Sequence, residues 1–79
     1  MIQLCRGENM KEKFSNRLKE LRIEKGITQK ELAKQIDTTN SAVSYWEKAI
    51  NEPKINYVIA LSEYFNVSTD YLLGLKEYD

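Results

Sequence analysis

Asn40, Ser41, Ser44 and Tyr45 carry uncharged hydrogen-bonding groups and crowd into one short stretch. If that stretch is helical, these positions share one side, because residues three and four apart are neighbours on a helix. An amide supplies donors and an acceptor, and a hydroxyl supplies both, so the set suits recognition by hydrogen bonding. It does not suit covalent chemistry. The chain has no histidine, its one cysteine (Cys5) has no cysteine–base pairing, and no glycine-rich phosphate loop is present. The expectation is a binding protein rather than an enzyme, with no metal site, no cofactor and no small-molecule ligand.

The elements that must hold these residues lie between Thr28 and Lys48. Thr28 with Glu31 three residues on has the form of a capping box. Leu32, Ala33 and Ile36 fall on one helix face, and Asp37 follows where the chain must turn, a residue type that tolerates left-handed backbone. Thr38 or Thr39 caps the next helix, whose Val43 and Trp46 point inward three residues apart. The pair therefore spans Gln29–Ile36 and Asn40–Lys48. Ala33 is small enough for the two helices to cross closely.

Three further helices are expected. The first, Phe14–Lys25, repeats Phe14, Leu18 and Leu21 at intervals of four and three and stops at Gly26. A fourth, Asn56–Phe65, follows Pro53, buries Val58, Leu61 and Phe65, and stops at Asn66. The fifth, Thr69–Leu73, has Ser68 as its cap, Asp70 in its first turn and Gly74 as its end, with Leu72 and Leu73 as core and Tyr71, Leu75 and Tyr78 more exposed. Five short helices can close one core around Phe14, Trp46 and Phe65.

At 79 residues the chain has room for one small domain. Its 42% hydrophobic and 30% charged residues fit a globular protein rather than a disordered one. No apolar run approaches the ~20 residues that cross a membrane, and the N-terminus has neither the apolar stretch nor the cleavage site of a signal peptide. A single cysteine fits a reducing compartment, so a cytoplasmic location is expected.

Formal net charge is zero, but the charges are unevenly spread. From Lys11 to Lys34 the basic residues (Lys11, Lys13, Arg17, Lys19, Arg22, Lys25, Lys30 and Lys34) outnumber the acidic by four, and from Gln35 to Asp79 the imbalance reverses by the same amount. A dipolar chain of this kind can turn a positive face to phosphate, although the same charges also describe ordinary solvated helix faces.

Residues 1–12 are set apart as an N-terminal tail, with the domain proper at 13–79. The weak alternation of Ile2 and Leu4 leaves two readings open, a flexible tail or a segment that pairs with a second subunit; Met10 is a candidate natural start.

The run ITQKELAKQIDTTNSAVSYWEK, continued by EPKINYVIALSEYFNVSTDYLLG, resembles the helix-turn-helix regulators of the Cro and phage-repressor type, also called XRE-like. The likeness covers Phe14 to Gly74 and rests on Gln29, Ala33, Val43, Trp46 and the closing NVSTDYLLG. It departs at Asp37 and Ala49, where the family usually has glycine; with alanine at 49 the preceding helix is expected to run on by a residue or more.

The resemblance implies an all-α, lambda-repressor-like domain that binds double-stranded DNA to regulate transcription, most often as a repressor. Its second motif helix would enter the major groove with Thr39, Asn40, Ser41, Ser44 and Tyr45 toward the base edges. Gln29, Lys30, Arg17, Lys48 and Asn51, with Lys13 on the same broad side, would meet phosphate. An acidic–basic pair between Glu47 and Arg22 would be structural. Two copies would bind a two-fold site, with Tyr71–Tyr78 as the candidate surface for a homodimer. The rival reading is a protein-interaction module, such as an antitoxin-like partner-binding protein, that keeps the fold with little DNA binding.

Overall fold

A computed structural model describes residues 10–77, so the strand-like alternation at Ile2 and Leu4, Cys5 and Tyr78 lie outside the described residues. The first helix begins at Met10 rather than Phe14: α1 spans Met10–Lys25, which takes the last residues of the expected tail into the domain. The apolar repeat begins at Phe14, about one turn inside the helix. Gly26 closes α1 in the left-handed region, φ 74°.

The next two helices begin on threonine caps. In α2, Gln29–Gln35, the Thr28 hydroxyl accepts from the Glu31 amide at 3.0 Å and the Glu31 carboxylate accepts from the Thr28 amide at 2.8 Å. In α3, Asn40–Glu47, the cap is Thr39, which accepts from the Ala42 amide at 3.0 Å. The turn between them carries Asp37 at φ 61°.

The expected extension of α3 past Ala49 does not occur. The helix stops at Glu47, Lys48 is its cap, and Ala49 itself adopts φ 61°. Alanine here takes the conformation glycine would, and the Ile50 amide returns to the Tyr45 carbonyl at 2.9 Å. The closing hydrogen bond and packing of the loop hold a backbone state that costs an L-residue ~1–2 kcal/mol.

After Pro53 and the side-chain-free cap of Lys54, α4 spans Ile55–Phe65 and ends at left-handed Asn66. Ser68 caps α5, Thr69–Leu72, by accepting from the Tyr71 amide. Within the described residues all regular structure is helical, and no helix there is long and apolar enough to cross a membrane.

α2 packs chiefly on α3, α1 reaches both α3 and α5, and α4 lies against α5. Phe14, Leu18, Leu32, Ala33, Ile36, Val43, Trp46, Val58, Leu61 and Leu72 form the buried core, with the Tyr57 ring 5.4 Å from Trp46. Phe65 and Leu73, both expected inside, only border that core, while Ser15 and Ser62 are buried. Ser62 satisfies its hydroxyl by donating to the Ile59 carbonyl.

Candidate nucleic-acid interface

Burial of Val43 and Trp46, 0% and 4% exposed, fixes which side of α3 looks outward. Asn40, Ser41 and Tyr45 are exposed on it and Ser44 is half-buried beside them. Thr39 is exposed too; with one lone pair committed to the Ala42 amide, its hydroxyl proton stays available to a ligand. The outer face is neutral throughout, able to donate and accept hydrogen bonds without imposing a charge.

Three side chains meet where α3 ends. Arg22 grips the Glu47 carboxylate with two bonds, Nε to Oε2 at 2.6 Å and Nη2 to Oε1 at 3.0 Å. The Gln29 amide nitrogen donates to the same Oε1 at 3.0 Å, and Arg22 Nη1 donates to the Ile27 carbonyl. The pair is well covered: the Glu47 side chain is 3% exposed and that of Arg22 15%. Hydrogen bonding to Glu47 raises the Arg22 pKa above its ordinary value, against the pull of burial, with the carboxylate charge adding to the rise. A raised guanidinium pKa means this stabilisation is complete below the ordinary arginine range and is lost only above it. One acidic residue thus ties together the end of α1, the loop after it, the start of α2 and the end of α3.

The cations nearest α3 lie at its two ends. Lys30, Lys34, Asp37, Thr38 and Asn40 line one open depression of about 500 Å³, which brings a lysine of α2 beside the first residue of α3. Lys34 was counted in the basic half of the chain but not among the individual phosphate contacts; its place one turn after Lys30 was the available signal. Lys48 and Asn51 are exposed beyond the other end of α3, and Asn51 borders a second depression with Trp46 and Tyr57.

Arg17 is elsewhere. Its Nη1 donates to the carbonyls of Tyr71, at 2.7 Å, and Lys76, its guanidinium stacks 4.4 Å from the centre of the Tyr71 ring, and Nη2 faces Glu77. It fastens the C-terminal segment to α1, apart from the residues around α3. Lys13, beside it, packs against Gly74.

A helix-turn-helix family profile matches residues 18–72, which take in both helices of the motif, its turn and the helices on either side. The chain belongs to the helix-turn-helix family. It is 44% identical over 64 residues to the HTH-type transcriptional regulator ImmR of Bacillus subtilis strain 168, a match covering 81% of this chain and 50% of ImmR. It is 34% identical over 64 residues to the HTH-type transcriptional activator BcrR of Enterococcus faecalis, covering 81% of this chain and 31% of BcrR. The chain therefore spans half the length of the first of these relatives and about a third of the second.

Among solved structures it is similar to the P22 c2 repressor in complex with a synthetic operator, with TM-score 0.73 and 32% identity over 84% of this chain and 94% of that one. The repressor LexA of Eubacterium rectale matches with TM-score 0.78 and 33% identity over 81% and 68% of the two chains. This helix-turn-helix chain has the fold of those repressor domains, with α2 and α3 as the motif and left-handed Asp37 in its turn.

Proposed function

We propose that the chain is a sequence-specific regulator of transcription, acting as a repressor, that lays α3 in the major groove of double-stranded DNA. The observation that carries the reading is the exposed neutral face of α3, on a fold shared with a repressor solved on its operator. Thr39, Asn40, Ser41, Ser44 and Tyr45 are assigned to the base edges: asparagine can pair both amide groups with adenine, serine is permissive, and a tyrosine ring can cover a thymine methyl. Gln29, Lys30, Lys48 and Asn51 are assigned to phosphate, where they set register without reading sequence.

One α3 reads few base pairs, so two copies on a two-fold site are proposed, with half-sites about one helical turn apart. In the candidate dimer segment from Tyr71 to Tyr78, Arg17 engages Tyr71 and leaves Leu75, 59% exposed, as the apolar contact on offer.

Selection of duplexes from a random pool identifies the operator, and titration of its variants tests the roles. Asn40→Ala is expected to flatten the preference at its position by ~1–3 kcal/mol, with Tyr45→Ala doing the same at another. Gln29→Ala is expected to weaken all variants about evenly. An unchanged ranking of operator variants with Asn40→Ala would remove the base-reading assignment. Affinity indifferent to salt would favour a partner-binding module instead, since phosphate contacts make binding fall steeply with salt.

A further inference from the structure

Gln29 occupies an unusual position for a residue assigned to phosphate: the acceptor already holding its amide is itself an anion. The Gln29 nitrogen lies 3.0 Å from Glu47 Oε1, and that carboxylate is almost wholly buried. A bare carboxylate behind a phosphate contact would repel the ligand. Here the charge is balanced by the two-bond grip of Arg22, so what stands behind Gln29 is a neutral pair.

We propose that Glu47 is the positioning residue for Gln29, with Arg22 as the counter-charge that lets an acidic group do this beside DNA. The proposal rests on the functional reading above. A glutamine side chain has three rotatable bonds and loses much of its rotamer freedom when it is ordered. A primary amide has two N–H bonds; one acceptor takes one of them and fixes the plane of the other. Gln29 is half-buried, so the ordering is done before any ligand arrives. Because Glu47 is also the last residue of α3, the backbone anchor and the base-reading helix share one fixed point. Contact with phosphate at Gln29 then sets the depth at which α3 sits.

Glu47→Gln is the informative change. A carboxylate offers two acceptor oxygens to three converging N–H groups, whereas an amide offers one and turns an N–H toward the rest. The experiment is a four-way comparison of wild type, Gln29→Ala, Glu47→Gln and the double variant. Binding is measured to one duplex selected against the wild-type chain, at a temperature where circular dichroism shows all four folded.

Glu47→Gln is expected to weaken binding about 3- to 10-fold when Gln29 is present, and to change it less than about 2-fold when Gln29 is already alanine. Equal losses in the two backgrounds would mean that Glu47 acts only through the fold, and would overturn the positioning role alone. A second measurement needs no DNA. In the free protein the Gln29 side-chain amide protons are expected to be widely separated in the nitrogen–proton NMR spectrum and to converge in Glu47→Gln; wild-type signals already at the values of a free glutamine would overturn the proposal. Should Glu47→Gln fail to fold, Glu47→Asp replaces it in the same comparison, keeping the charge for Arg22 but drawing it one methylene back from Gln29. A wild-type chain that binds no selected duplex at low salt would instead sink the functional reading, and the positioning role with it.

Discussion

Two arginines of α1, little more than one turn apart, hold different parts of the molecule. Arg22 faces a carboxylate that is 3% exposed; Arg17 faces one that is 83% exposed, at 3.7 Å, and aims its stronger hydrogen bonds at backbone carbonyls instead. Residue type and helix are the same, but the surroundings of the partner differ. At the Glu47 end the charges are withdrawn from water, and each depends on the other to remain tolerable there. At the C-terminal end Glu77 stays hydrated, and what Arg17 contributes is a bridge between the Tyr71 carbonyl in α5 and the Lys76 carbonyl of the segment after it. The first arrangement makes a rigid junction. The second makes a clasp.

The sharpest way to break this contrast is to remove the acid at the buried end. Glu47→Ala leaves Arg22 without its carboxylate and is expected to cost about 3 kcal/mol, the low end of the range for a broken buried pair because Arg22 keeps some contact with water. Urea denaturation measures it, and a loss below about 1 kcal/mol would reduce the pair to an ordinary surface contact. Arg17→Ala should cost less, about 1.5–3 kcal/mol for hydrogen bonds from a charged donor. The effect should also be local: faster hydrogen exchange at the Leu73, Gly74 and Leu75 amides, with α2 and α3 unchanged. Exchange rising equally in α3 would dissolve the distinction between junction and clasp. The smallest effect runs the other way. Ala49→Gly, two residues past Glu47, is expected to relieve left-handed strain and stabilise the chain by up to about 1 kcal/mol, read as an upward shift in Tm.

Legibility from the sequence followed the distance over which each feature acts. The capping box of Thr28 and Glu31 is written within four consecutive residues, and the structure forms it with the expected atoms. The inward positions Val43 and Trp46 followed from helical spacing, and the outward face followed from them. The start of α1 was misplaced because it was read from the apolar repeat, which begins only at Phe14; the unused signal was Asn9 followed three residues on by Glu12, the spacing of a helix-start cap. Ala49 was misread because alanine favours continuing a helix; the left-handed state is imposed by the loop beyond it.

The redirection of Arg17 had no sequence signature. Its acceptors are main-chain carbonyls 54 and 59 residues away, which every residue possesses. Gln29 falls between these cases. Its place at the start of α2 was legible, but its bond to Glu47 depends on the way α2 meets the end of α3.

The Arg17 clasp also decides where force enters the domain. Tension on the polypeptide at Lys76 or Glu77 is delivered not only along the backbone into α5 but also through the guanidinium into the middle of α1. A fluorescent label or purification handle tethered at that end would therefore pull first on α1 rather than on α3 itself.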